Sequence, residues 1–144
     1  MNTAASTKNT RLASLVLAAG MALVAWYLLQ RTLGLSPGVF ADEWYYSKMA
    51  RLMPLSEATL PSWLYLLVFG ASSSCGPGFL DCARIGNVVF HVGAAPFLYL
   101  VARRVMSPGL ACAAALLSLL LPLDLYTTFF MPESLYFFGF AVLA

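Results

Sequence analysis

Apolar residues run through the chain in long blocks separated by short polar stretches. From Leu12 to Gln30 almost every position is apolar. A helix over this run rises about 1.5 Å per residue and reaches ~28 Å, enough to cross the hydrocarbon core of a bilayer. Residues 1–11 before it are small and polar, include Lys8 and Arg11, and read as a disordered cytoplasmic tail. Val39-Phe40-Ala41 has the look of a signal-peptidase site. The apolar run is long, however, and Arg31 with about ten further residues separates it from that site, which favours an uncleaved first span.

Polar positions return over 31–78. Ser36-Pro37-Gly38 predicts a turn. Asp42 has the character of a helix N-cap, with a helix running to about Leu52 and stopped by Pro54. Leu60–Ala71 is apolar, but as a helix it measures only about 18 Å and falls short of a crossing. Trp63 and Tyr65 suit the membrane interface, so this segment is predicted to lie on or dip into the membrane. Ser72–Gly78 reads as a loop.

Phe79–Val101 is the second predicted span. Asp81, Arg84, Asn87 and His91 recur at helical spacing along it and share one face. Polar groups at that depth should face protein or a cavity rather than lipid. Arg103-Arg104 close this span, and Ser107-Pro108 opens a third, an N-cap followed by proline in the first turn. The third span runs over 108–123, and a loop over 124–132 leads to Met131-Pro132-Glu133 and a fourth apolar helix. That helix reaches only Ala144, about half a bilayer, so the chain is expected to be the N-terminal part of a longer protein.

The expected fold is therefore all-α: a polytopic helical membrane protein with a cytoplasmic N-terminus, three spans, an interfacial helix and the start of a fourth span. Composition agrees, with 61% hydrophobic and 10% charged residues and a mean hydropathy of +0.82. Net charge is only +2 and no Lys/Arg cluster occurs, which excludes a nucleic-acid partner and leaves the lipid bilayer as the first one. With the N-terminus inside, Lys8, Arg11, Arg103 and Arg104 lie in the cytoplasm and all six acids lie at or near the opposite face. The basic residues satisfy the positive-inside rule, in which acids count for little. If 60–71 crossed fully, Arg103-Arg104 would move outside and the rule would fail. Cys75 and Cys82 bracket a Gly-Pro-Gly sequence and can pair if that loop meets an oxidising compartment; spacing alone leaves this open. Cys112, within an apolar run, reads as a small packing residue.

The chemistry gathers at Phe40-Ala41-Asp42-Glu43-Trp44-Tyr45-Tyr46, where two adjacent carboxylates sit beside the membrane. Asp42 is either the base that takes a proton from an attacking hydroxyl or simply a cap. Glu43 is either a second carboxylate or metal ligand, or a first-turn acid favoured by the helix dipole. Glu133 carries the same pair of readings. Arg84 has the fork geometry to hold a phosphate, or serves as the i,i+3 partner of Asp81. Lys48 is a cation for phosphate or lipid headgroups. Tyr46 can stack on a sugar or belong to an aromatic belt. A transporter would instead use Asp81, Arg84 and His91 as an intramembrane relay.

The order of these features resembles a known family. Phe40-Ala-Asp-Glu-Trp-Tyr-Tyr46 follows a first span. Leu60-Pro-Ser-Trp-Leu-Tyr-Leu-Leu-Val-Phe-Gly70 comes next, and Ala83-Arg-Ile-Gly-Asn87 opens a span ending Tyr99-Leu-Val-Ala-Arg-Arg104. An Ala/Leu span then ends at Pro122, and Met131-Pro-Glu-Ser134 begins the next helix. Together they resemble the N-terminal region of GT-C glycosyltransferases, nearest the bacterial protein-mannosyltransferase and aminoarabinose-transferase branch. The resemblance covers roughly residues 12–144. It implies an inverting transferase in the bacterial inner membrane that moves a sugar from a polyprenyl-phosphate donor to an envelope acceptor on the periplasmic face. In the family's pattern the first outer loop supplies the base, here Asp42 with Glu43 beside it. Glu133 and Arg84 fall on the acid of the fourth span and the arginine of the second. Relatives often carry Lys-Pro-Pro-Leu where this chain has Thr59-Leu60-Pro61-Ser62, and many have Asp in place of Glu133. The resemblance leaves the use of a divalent metal ion open. A small non-enzymatic multi-span subunit or scaffold is the alternative reading.

Overall fold

The computed structural model describes residues 3–35 and 41–144. The Ser36-Pro37-Gly38 turn and Phe40 lie outside the described residues. The described elements are all helical. They are α1 (Thr3–Thr32), α2 (Ala41–Leu52), α3 (Trp63–Gly70), α4 (Phe79–Gly93), α5 (Ala95–Ala102), α6 (Pro108–Ser118) and α7 (Glu133–Leu143), with 3-10 turns at Leu55–Glu57, Ala71–Gly78 and Pro122–Thr128.

Asn9–Thr32 and the stretch Trp63–Ala102 are long and apolar enough to cross a membrane. Pro108–Ser118 and Pro122–Thr128 make a further crossing if taken together, bent by 50°. Two or three helices able to span a membrane mark an integral membrane protein, and they expose apolar residues such as Leu15, Leu23, Val89, Leu100 and Leu117, consistent with contact with a bilayer.

Four local expectations change. The tail before Leu12 is helical from Thr3 onward. A long apolar helix has already met the cost of nucleation, so its first turns propagate into polar residues that would not form a helix alone. Helix α2 begins at Ala41, which puts Asp42 inside the first turn rather than at the cap. The loop 72–78 is wound into 3-10 turns. Within it Gly76 has φ 55°, a backbone conformation that side chains disfavour, and there the chain reverses. A disulfide joins Cys75 to Cys82 across the reversal, with their Cα atoms 6.6 Å apart. The 3-10 segment therefore lies against α4 and brings the Phe69 ring, at the end of α3, to 6.1 Å from the Phe90 ring.

The fourth change concerns the third span. α6 stops at Ser118, and the chain continues after a break. Pro122 lacks an N–H, so the preceding turn loses a helical bond and the axis bends. Helix α5 continues α4 more smoothly. Ala94 between them keeps helical dihedrals, φ −67° and ψ −29°, although Pro96 removes one donor.

Two clusters hold the helices together. One joins α1, α4, α5 and α6 through Ala13, Leu17, Val88, Tyr99, Ala111, Cys112, Ala115 and Leu119. The other joins α2, α3, the start of α4 and the start of α7 through Met49, Tyr65, Leu66, Phe69, Phe130 and Leu135. The second cluster forms the floor beneath the acidic residues.

Candidate functional site

The acids of the chain collect at one end of the bundle, formed by the C-terminus of α1, all of α2 and α3, the first turns of α4 and the start of α7. Asp42 and Glu43 are consecutive residues on α2, about 100° apart around its axis, so they cannot face the same way. Asp42 is exposed. Glu43 is buried, with 4% of its surface exposed. Its Oε1 accepts a hydrogen bond from the backbone N–H of Phe130 at 2.9 Å. Its Oε2 is buried with no protein partner. Burial pushes the Glu43 carboxyl above its ordinary value, and the Phe130 amide and the nearby Arg84 guanidinium pull it back only in part.

Glu133 opens α7, half-buried, and its Oε2 is likewise enclosed without a partner. It lies within electrostatic reach of Asp42 although the two are far apart in sequence. Tyr65 on α3 is fully buried, its hydroxyl has no partner, and it senses Glu133, Tyr46, Glu43 and Tyr136. Tyr46 sits edge-on to Tyr65, ring centroids 5.4 Å apart, with its hydroxyl 3.4 Å from Ser62 Oγ. The fold thus gathers Asp42, Glu43, Tyr46 and Glu133 into one acidic, tyrosine-lined region.

Lys48 and Arg84 are placed differently. Lys48 is exposed on α2, its ammonium 5.1 Å from the centre of the Trp44 ring. Arg84 is 1% exposed. Its Nε donates to Thr128 O at 3.0 Å, and its Nη1 donates to Leu35 O at 2.8 Å and to Asp81 Oδ1 at 3.1 Å. A guanidinium so engaged has few donors left for a phosphate. A cleft of about 220 Å³ does open beside it, lined among others by Gly34, Leu35, Gly78 and Asp81.

The rest of the polar face of α4 is also engaged with backbone. Asn87 Nδ2 donates to Phe129 O at 2.7 Å, and His91 Nε2 lies 3.0 Å from Leu119 O. Arg31, at the end of α1, pairs with Asp124 at 3.3 Å and also donates to its carbonyl at 3.2 Å. All these partners lie between 119 and 130, where the helix breaks and its peptide groups lose their regular bonds. At membrane depth such groups need protein partners, and side chains of α1, α2 and α4 supply them. The periodicity of 81, 84, 87 and 91 marks an inward face; only Pro122 hints that a broken helix lies opposite.

Asp42, Glu43 and Glu133 do not form a metal-binding group; among the described residues no three His, Cys, Asp or Glu side chains come together in one. Comparison with family models, curated proteins and solved structures finds no match to this chain.

Proposed function

We propose that this chain is the N-terminal part of a GT-C-like membrane glycosyltransferase, with Asp42 as the base that accepts the acceptor's proton. The observation that carries the reading is the exposed carboxylate of Asp42 on the short helix whose Tyr46 ring packs edge-on against the buried Tyr65, at the end of the bundle where Glu133 opens α7. An inverting transfer needs a carboxylate free to reach an acceptor hydroxyl. Asp42 has that exposure and the buried Glu43 does not. On this reading the N-terminus is cytoplasmic, α3 is the interfacial helix, and the acidic end faces the periplasm. The Cys75–Cys82 bridge sits at that end, where an oxidising compartment would maintain it.

A non-enzymatic scaffold is the second reading, favoured by one observation. Arg84 Nε, Asn87 Nδ2, His91 Nε2 and Glu43 Oε1 are each engaged by backbone. A relay through Asp81, Arg84 and His91 is disfavoured at its middle member, since a guanidinium tied to Thr128 O and Leu35 O keeps its protons.

The test uses the complete gene product in membranes, supplied with a labelled polyprenyl-phosphate sugar. Asp42→Asn keeps the shape of the side chain and removes the base. Transfer should fall about a hundredfold or more with insertion and accumulation unchanged. Undiminished transfer would remove Asp42 from the mechanism. Absence of transfer in the wild type with every donor tried would favour the scaffold.

A further inference from the structure

Three consecutive residues ahead of α7 are each held by a different side chain. Thr128 O accepts from Arg84, Phe129 O accepts from Asn87, and Phe130 N–H donates to Glu43. The three side chains are buried, at 1%, 0% and 4% exposure. Arg84 also holds Leu35 O, on the chain leading from α1 toward α2. One arginine therefore ties the approach to Asp42 to the approach to Glu133, and Glu43 closes the connection from the α2 side.

We infer that Glu43, Arg84 and Asn87 form a clamp on Thr128–Phe130 that fixes the position of α2 relative to α7, and with it the spacing of the Asp42 and Glu133 carboxylates. They are positioning residues: they act through the backbone they hold. This assignment deepens the transferase reading and rests on it for its catalytic consequence, although the clamp itself can be tested without any reaction. Several features make it more than ordinary packing. The backbone it grips lies where the 3-10 turn of Pro122–Thr128 runs out and before α7 begins, so no regular helix fixes Phe129 and Phe130. The bonds come from two sides, with α4 taking carbonyls and α2 taking the amide. The acids whose spacing is set lie immediately next to the clamp in sequence, Asp42 beside Glu43 and Glu133 three residues after Phe130.

The clamp requires an acceptor at position 43 but not a charge. Glu43→Gln keeps an oxygen that can accept from Phe130 N–H, whereas Glu43→Leu keeps bulk and loses the acceptor. Spin labels at Tyr45→Cys on α2 and Tyr136→Cys on α7, both exposed sites, report the spacing in a Cys112→Ser background. The complete gene product in membrane vesicles should give one narrow distance distribution, kept by Glu43→Gln and broadened by Glu43→Leu and by Asn87→Leu. A distribution as narrow in both leucine variants as in the parent overturns the clamp.

In the transfer assay Glu43→Leu should lower kcat about a hundredfold, the scale expected for an ångström of misplacement, with the donor KM unchanged. Glu43→Gln should stay close to wild type. Equal loss in Glu43→Gln and Glu43→Leu would make the charge itself essential and overturn the positioning role. Arg84→Lys cannot reproduce the fork and should lower kcat; a raised donor KM at constant kcat would instead place Arg84 on the donor phosphate and remove it from the clamp. If the wild type transfers nothing, the transferase reading fails, and the distance distributions still decide whether the clamp exists.

Discussion

The α1–α6 seam and the layer around α2, α3 and the start of α7 bury side chains of opposite kinds. The seam is built from small and aliphatic residues: Ala13, Leu17, Ala111, Cys112 and Ala115. At Gly20 the helices come so close that an added Cβ would stand 2.7 Å from the Leu116 methyls. Lipid tails are as apolar as these side chains, so the seam gains from close fit and from little else. The other layer is aromatic. Tyr65 stacks on Phe69 at 4.3 Å between centroids, Phe130 lies edge-on to both, and the Arg51 guanidinium covers the Phe79 ring at 3.3 Å. Around that aromatic floor run the polar contacts to backbone. The seam can be assembled from regular helices alone. The aromatic layer must also fasten three short helices and two breaks, and large rings with hydrogen-bonding side chains serve that purpose.

The largest effect should come from the ring at the centre of this layer. Phe130 is fully buried and touches Tyr65, Phe69 and Phe79. Phe130→Ala should cost about 3–5 kcal/mol, confined to the acidic end. Hydrogen exchange checks this: amides of α2 and α3 should lose protection while those in the middle of α1 and α6 keep it. Equal loss in both regions would mean the two clusters unfold as one unit.

Next in size is the covalent tie. Removing the Cys75–Cys82 bridge by Cys75→Ser with Cys82→Ser should cost about 2–3 kcal/mol on the loop-entropy model. The effect should appear as faster exchange in α3 and the first turn of α4, because the bridge closes the reversal between them. A change in the α1–α6 seam instead would show that the reversal supports the whole bundle.

The apolar helices were the most legible part of this molecule, because uninterrupted apolar runs leave the backbone few alternatives to a helix. The inward face of α4 was legible too, since 81, 84, 87 and 91 share one helical side whatever they touch. What they touch was not. The partners are mainly main-chain carbonyls between 119 and 130, and a carbonyl has no signature in sequence. The separation of Asp42 from Glu43 into an exposed and a buried carboxylate follows from the helix starting at Ala41, two residues earlier than a cap at Asp42 would place it. Arg84 carried both an ion-pair reading and a phosphate reading; the pair with Asp81 is present, and burial commits most of its donors.

Two glycines sharpen the comparison at lower energy. At Gly70 an added Cβ would stand 2.8 Å from the carbonyl oxygen of Ala50, a backbone atom on the neighbouring helix. Gly70→Ala should therefore push α2 from α3 and cost about 1–3 kcal/mol. At Gly20 the obstacle is the tip of a half-buried leucine, which can turn aside. Gly20→Ala should cost less than about 1 kcal/mol, a difference that parallel denaturation of the two variants in the same detergent would read. The reverse order would mean that the seam, not the aromatic layer, is the more rigid of the two.

The smallest effect concerns the Glu43 carboxyl, which has no counterpart in the seam. Its folded-state pKa is raised above the ordinary 4.5, chiefly by burial. A raised carboxyl pKa means the folded state binds the proton more tightly than the unfolded state does. The charged form therefore weakens the acidic end at pH above the raised value. As pH falls through that value the penalty is relieved and stability rises, until near 4.5 the unfolded chain is protonated as well and the gain levels off. Other carboxylates lie near Glu43, so the informative quantity is the difference between wild type and Glu43→Gln. That difference should favour wild type increasingly as pH is lowered across the window, with exchange in α2 as the readout and α6 as the internal control. A difference of the opposite slope would mean that the Phe130 amide and Arg84 hold the carboxylate more strongly than burial opposes it, and that position 43 needs its charge as well as its oxygen.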